Sequence, residues 1–319
     1  MPPWRANTPL PRPPEPAPSL DAVRAGGKAA LARALALIEQ APDSSSTRAL
    51  LNEAYRAPLA HVIGLTGPPG VGKSTLTSSL IERWRVAGRT VGIIAVDPSS
   101  RISGGALLGD RTRLRTNPAD AGLFVRSMAA RDRLGGVADL TVAAMVVMRA
   151  LFDIVLIETV GVGQSESDVA TIADTVLLCV QPGSGDGLQF MKAGLLELPH
   201  IMIVTKTDMG ETAARARSDL TAALHLAGPR PDGWTVPLLG VSAQNGEGLG
   251  ELVEAIGRHH AAISPDLPAL RHSQAEGWVA AAVKERWGTV GLRRAGPLAF
   301  EPGVSPFEML IALESRFEP

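Results

Sequence analysis

An α/β fold with a mostly parallel sheet flanked by helices is what this sequence predicts, and three observations predict it. Short β-branched runs alternate with helical patterns through the middle of the chain. Those runs are apolar almost throughout, as strands covered on both faces are. The first run enters a helix through a glycine-rich turn. Helical spacing without strands on either side adds an N-terminal helical cap and a C-terminal helical extension.

In chain order, residues 1–18 carry Pro2, Pro3, Pro9, Pro11, Pro13, Pro14, Pro16 and Pro18. They read as an extended or disordered leader that buries no core. The cap, residues 19–58, shows Leu31, Leu35 and Ile38 at helical spacing within Lys28–Gln40, and a shorter pattern over Arg48–Tyr55. The central domain, residues 59–264, carries the runs His61–Thr66, Val91–Val96, Leu123–Arg126, Asp153–Glu158, Thr175–Val180, Ile201–Thr205 and Val236–Val241. Its last helix spans about Gly248 to Ala262.

The extension, residues 265–319, opens with a helix over about Gln274 to Trp287 that has Trp278, Val279, Ala282 and Val283 on one face. Gly288, Gly291, Gly296, Pro297, Pro302 and Gly303 then break regular structure. Ser305-Pro306-Phe307-Glu308 supplies the N-cap, first-turn proline and capping-box glutamate of a final helix. Its apolar positions Phe307, Leu310 and Ile311 need a surface, either a second copy of the chain or the central domain.

Composition limits the function classes. A chain of 319 residues with 45% hydrophobic and 20% charged residues is an ordinary soluble globular protein. A net charge of −1 offers no basic excess for a nucleic-acid backbone. The single cysteine, Cys179, sits in an apolar run and reads as a buried strand residue. The apolar stretch Val137–Ile157 is interrupted by Asp139, Arg149 and Asp153, so it predicts no membrane span. The proline-rich start does not read as a signal peptide, and a cytoplasmic location is expected.

Gly67-Pro68-Pro69-Gly70-Val71-Gly72-Lys73-Ser74, followed by Thr75, has the G-x-x-x-x-G-K-[ST] spacing of a P-loop, after a strand and before a helix. Its glycines allow backbone N–H groups to surround phosphate oxygens. Lys73 can reach the β/γ-phosphates and the Ser74 hydroxyl can bind Mg²⁺. The following helix points its positive dipole end at the same anion. A nucleoside triphosphate is the predicted ligand.

The base is read from Thr205-Lys206-Thr207-Asp208, a [NT]-K-x-D pattern that follows the run ending at Thr205. A carboxylate at Asp208 accepts two hydrogen bonds from guanine N1–H and N2, a donor pair adenine lacks. Lys206 lays its aliphatic stem along the base. Ser242-Ala243 follows a further strand, where a G-domain offers a backbone N–H to guanine O6. Taken alone, T-K-x-D is equally an exposed lysine and aspartate after a strand.

Ile154-Val155-Leu156-Ile157-Glu158-Thr159-Val160-Gly161 is a Walker-B element in which Glu158 closes a buried strand and the Gly161 N–H meets a γ-phosphate. Val162, next in the chain, cannot orient water as the glutamine of Ras-type GTPases does. Slow intrinsic hydrolysis is expected unless Gln164, another group or a partner supplies the missing stabilisation. Asp97 and Asp110 lie on polar segments suited to Mg²⁺ contact, although each taken singly also reads as a turn or cap residue. Pro182-Gly183-Ser184-Gly185-Asp186-Gly187 reads as a moving segment or an ordinary turn before Gln189 and Lys192.

Together with Asp97-Pro98-Ser99-Ser100, Gly109-Asp110-Arg111, the run from Glu158 to Glu166 and Gly185–Gln189, these motifs resemble the MeaB/ArgK family. These are SIMIBI-class P-loop GTPases associated with methylmalonyl-CoA mutase, and the resemblance covers about residues 27–263. It implies a GTP/GDP-binding G-protein chaperone for an adenosylcobalamin-dependent acyl-CoA mutase, reaching cobalamin only through that partner. It assigns Ser74, Asp97, Asp110 and Glu158 to Mg²⁺. It groups Lys73, Asp110, Glu158, Gln189 and Lys192 as catalytic, with residues 182–192 as a partner-sensing switch. It also implies a homodimer made through a C-terminal arm. Thr205 replaces the family's usual asparagine, Asp132 interrupts a glycine-containing turn, and the tail after about residue 288 matches poorly. Two rival readings are a nickel- or other metal-insertion GTPase and a kinase of periplasmic amino-acid-binding proteins. The first needs clustered cysteine or histidine, whereas the histidines read as scattered, with His259-His260 a solvated helix end.

Overall fold

The computed structural model describes residues 16–98, 117, 119–130, 139–159, 161, 165–183 and 197–317. Seven strands form one sheet: β1 (His61–Thr66), β2 (Val91–Pro98), β3 (Leu123–Ala130), β4 (Ile154–Glu158), β5 (Thr175–Val180), β6 (Ile201–Thr205) and β7 (Leu238–Val241). Their order is β3-β2-β4-β1-β5-β6-β7 and every neighbouring pair is parallel. Each predicted run is a strand. The last begins at Leu238 rather than Val236, because Pro237 has no N–H to give the ladder; its carbonyl accepts from Met202 N instead.

The helices described are α1 (Leu20–Gln40), α2 (Ser45–Arg56), α3 (Lys73–Val86), α4 (Asp139–Arg149), α5 (Ser165–Ala170), α6 (Glu211–Ala227), α7 (Leu249–Ile263), α8 (Leu267–Ala295) and α9 (Pro306–Phe317). The sheet is buried on both faces, and side chains alternate between them. Val62 and Val155 face α1, α2 and α4, while Ile63, Leu65 and Leu156 face α3 and α7. Helix α6 covers Leu178, Val180, Met202 and Val204. Cys179 is fully buried, which pushes its thiol up to about 12.

The register puts β1 at the centre, with Leu65 beside Glu158 of β4 on one side and Leu177 of β5 on the other. The carboxyl ends of these three strands therefore converge where the P-loop leaves β1, the place where open parallel sheets bind ligands.

Ser19 caps α1 and Ser44 caps α2, each accepting an N–H of its first turn. The extension differs from its sequence reading. Regular structure was expected to stop at Trp287, yet α8 bends at Gly288 (φ 67°, ψ −168°) and resumes as helix to Ala295. A left-handed residue without a Cβ makes the bend tolerable, and the resumed turn buries Ala295 in a cluster with Val279, Val283, Leu310 and Leu313. The capping box of α9 forms, with Ser305 N donating to Glu308 Oε2 at 3.1 Å and Phe307 N to Ser305 Oγ at 3.2 Å.

The faces expected to need a partner are met within the chain. Phe307 lies against Trp278, with ring centroids 5.2 Å apart, and joins the core beneath α2. Arg56 pairs with Glu308 at 2.6 Å, Arg48 with Glu314 at 2.8 Å, and Arg286 also binds Glu314. At its other end α8 is tied to the sheet by Arg271, whose guanidinium grips Asp174 at 2.9 and 2.6 Å and donates to Ala60 O at 2.7 Å. Among the described residues, no helix is long and apolar enough to cross a membrane.

Candidate nucleotide site

The P-loop is the connection from β1 to α3. Gly72 caps α3 with no side chain over the helix end, so the first-turn N–H groups face outward as an anion site requires. Lys73 is buried, and its ammonium donates to Gly67 O at 2.7 Å and Pro68 O at 3.1 Å. It is thus held across the mouth of the loop, where a phosphate can exchange with those carbonyls.

Glu158 closes β4 beneath this loop, 4% exposed. Ser74 Oγ donates to its Oε1 at 2.6 Å and Thr77 Oγ1 to its Oε2 at 2.9 Å. A hydroxyl carries one proton and two lone pairs, so Ser74 bonded in this way still has lone pairs to offer a cation. An anionic carboxylate beside a hydroxyl, at the phosphate end of a P-loop, is a hard oxygen-donor set that fits Mg²⁺. Gly161 comes close to the P-loop, with φ of 74°. A Cβ there would lie 1.8 Å from Gly67 O and 2.8 Å from Lys73 Nζ, so only glycine is accommodated.

The base motif is bolted to the P-loop. Thr205 Oγ1 lies 2.8 Å from Val71 O and 3.2 Å from Val180 O, so the shorter threonine still braces three segments. Lys206 is the one non-glycine residue with positive φ among the described residues (φ 54°, ψ 45°). Its ammonium donates to Gly70 O at 2.9 Å and to Gln181 Oε1 at 2.7 Å, which lays the stem across the space beside the loop. The unfavourable backbone is held by those two bonds.

Asp208 sits on a 3₁₀ turn, Thr207–Met209, and accepts from the buried Ser242 hydroxyl at 2.7 Å. The backbone N–H of Ser242 donates to Glu247 O at 3.1 Å, so it is not the free donor expected there. The contacts of the Ser242 hydroxyl, Gln181 and Thr77 were missed in the sequence, because each is made to a neighbour brought close only by folding. Asp110, Val162, Gln164, Gln189 and Lys192 lie outside the described residues, as does the segment 184–192. Asp97 is placed only by its backbone, in β2 beside Ala129 of β3.

One expectation is corrected. His259 and His260 do not form a solvated helix end: His259 is 1% exposed. His61 stacks on His260 and His200 lies against His259, each pair with centroids 4.2 Å apart. Thr175 Oγ1 bridges His61 Nε2 and His259 Nδ1, at 2.7 Å each. The starts of β1 and β5, the approach to β6 and the last turn of α7 lie at one end of the sheet, which gathers histidines that are far apart in sequence. This cluster is at the end of the sheet opposite the nucleotide site. No group of three or more His, Cys, Asp or Glu side chains able to hold a metal ion exists among the described residues.

A parallel sheet with a phosphate loop at its central strand, an acid-terminated neighbour and a braced T-K-x-D motif define a P-loop nucleoside-triphosphate-binding protein. The model of the family described as methylmalonyl Co-A mutase-associated GTPase MeaB matches residues 31–290, and the chain belongs to that family. It is 42% identical over 246 residues to the Pyrococcus horikoshii protein named "Putative GTPase PH0274", covering 75% of this chain and 76% of that one. It is 33% identical to GTPase ArgK of Escherichia coli over 82% of both chains. The mouse protein named methylmalonic aciduria type A homolog, mitochondrial, is 37% identical over 70% of this chain and 55% of its own length. The crystal structure of a LAO/AO transport system kinase superposes with a TM-score of 0.66, covering 94% of this chain and 96% of that one at 24% identity, a likeness of fold.

Proposed function

We propose that this protein binds GTP with Mg²⁺, hydrolyses it slowly alone, and acts as a cytoplasmic G-protein chaperone that gates cofactor loading of an adenosylcobalamin-dependent acyl-CoA mutase. The observation that carries the nucleotide reading is the brace between base motif and P-loop, in which Thr205 reaches Val71 and Lys206 reaches Gly70. Such a brace would set guanine and phosphate positions relative to each other before any ligand arrives, and preorganisation of this kind lowers the cost of binding. Membership of the mutase-associated family supports the partner reading.

On this reading each residue has a role, and the geometry supports those of Lys73, Ser74, Glu158 and Asp208. Lys73 exchanges its carbonyl partners for phosphate oxygens, and the α3 N-terminus receives the same charge. Asp208, oriented by the Ser242 hydroxyl, accepts the guanine N1–H and N2 hydrogens, while Ala243 N–H meets O6. Ser74 and Glu158 would hold Mg²⁺, with Asp97 and Asp110 as further carboxylates. When bound, the ion neutralises charge building on the phosphates. Gln189 and Lys192 are assigned to sensing the mutase, which is where the stabilisation absent at Val162 would come from. The homodimer belongs to the same proposal, and light scattering of the full chain is its check.

The test mixes the protein with a cobalamin-dependent mutase of the same source and follows GTP turnover with and without it. Stimulation by the mutase, lost in Gln189→Ala or Lys192→Ala with GTP affinity retained, is the expected result. Absence of both stimulation and binding in every nucleotide state removes the chaperone role and leaves the GTPase reading standing.

A further inference from the structure

We infer that Thr77 is a positioning residue for Mg²⁺-dependent nucleotide binding, acting through Glu158. The inference rests on the reading of Ser74 and Glu158 as the metal-holding pair. Thr77 lies one turn beyond Ser74 on α3, so both hydroxyls point toward the end of β4. Together they take one oxygen each of the Glu158 carboxylate, at 2.9 and 2.6 Å. Thr77 is 0% exposed and its neighbours on the same helix face, Leu80 and Ile81, are apolar.

Two features separate this hydroxyl from an ordinary helical one. Hydroxyls inside helices usually bond back to the carbonyl four residues earlier. Ser78 does so to Ser74 O at 3.0 Å, and Ser79 to Thr75 O at 3.2 Å. The Thr77 hydroxyl instead crosses to another element. Valine would also fill the same space, so the oxygen is the distinguishing atom at this buried position.

The terminal torsion of a glutamate is broad and has no strong rotamer of its own. A second hydrogen bond, at Oε2, restricts that torsion further than the Ser74 bond at Oε1 does by itself. With Oε2 fixed by Thr77, Oε1 stays aimed at Ser74, and the Ser74 proton stays turned toward Glu158. The lone pairs of Ser74 then face the phosphate side, where a cation would be received. Thr77 touches neither nucleotide nor metal in this arrangement; it sets the orientation of a group that does.

The test measures affinity of the full chain for a fluorescent N-methylanthraniloyl-GDP, with excess Mg²⁺ and with EDTA. In the wild type Mg²⁺ should tighten binding. In Thr77→Val that tightening should shrink about tenfold, as expected for one charge-assisted hydrogen bond, while affinity in EDTA stays within about twofold. Thr77→Ser keeps the hydroxyl and should restore the Mg²⁺ effect. Thr77→Ala serves as the second hydroxyl-free variant should valine prevent folding. Wild-type Mg²⁺ dependence in both hydroxyl-free variants overturns the inference, and so does an equal loss with and without Mg²⁺ that serine fails to rescue. A wild type indifferent to Mg²⁺ overturns the metal reading of Ser74 and Glu158 and the inference with it, an outcome visible before any substitution is made.

Discussion

Mild acid should destabilise this protein through its buried histidines, before its carboxylates titrate. Burial holds His61 and His200 down to about 3 and His259 down to about 4, and lowers His260 as well. Neighbouring histidines lower His61, His200 and His259 further; Asp174 opposes the downward shift at His61, His259 and His260, and Asp232 at His200 and His259. Arg271 and Arg230 stand on the other side of the balance. In the unfolded chain each histidine returns to about 6.5 and takes up a proton that the folded state refuses. The unfolded state therefore binds more protons between about pH 6.5 and 3, and stability falls as pH falls through that window.

For one histidine the loss is RT ln(1 + 10^(6.5 − pH)), about 0.8 kcal/mol at pH 6 and about 2 kcal/mol at pH 5. His61, His200 and His259 together give about 2.5 kcal/mol at pH 6. The depressed carboxylates Asp120, Asp153, Asp232 and Glu308 lose their contribution only on approaching the carboxylate range, so they do not explain a drop above about pH 5. Urea unfolding at pH 7, 6 and 5.5 reads the effect as a falling midpoint at constant slope. The double variant His200→Gln/His259→Gln should remove about two thirds of that loss of about 2.5 kcal/mol at pH 6, since two of the three histidines summed are gone. A midpoint unchanged between pH 7 and 5.5 would refute the argument.

Three further outcomes are expected. Arg271→Ala leaves Asp174, 1% exposed, without its ion-pair partner; the loss should be about 3–5 kcal/mol, or about 5–8 °C in the thermal midpoint of a chain this long. Thr205→Val removes the brace on Val71 O and Val180 O and should cost about 1–3 kcal/mol, with weaker GTP binding by calorimetry and rescue by Thr205→Ser. Gly161→Ala forces a Cβ against Gly67 O; circular dichroism should show the fold intact while nucleotide affinity drops at least about tenfold, and unchanged affinity would contradict the close approach.

The sequence by itself determined the strands, the phosphate loop and the helix that follows it. A P-loop is eight consecutive residues whose chemistry is local, and a strand buried on both faces announces itself by unbroken apolar composition. The capping box of α9 was legible for the same reason, since Ser305 and Glu308 are three residues apart. Only the tertiary structure decided what depends on strand order. Once β1 lies between β4 and β5, Thr77 meets Glu158 across 81 residues of chain, Thr205 meets Val71 across 134, and His61 meets Thr175 across 114. No periodicity encodes those meetings, because spacing within an element says which face a residue occupies and nothing about which element comes to cover it. The C-terminal tail shows the same limit: its apolar faces were visible in the sequence, but their partners are its own neighbours, reached through a bend at Gly288 that glycine permits and only packing selects.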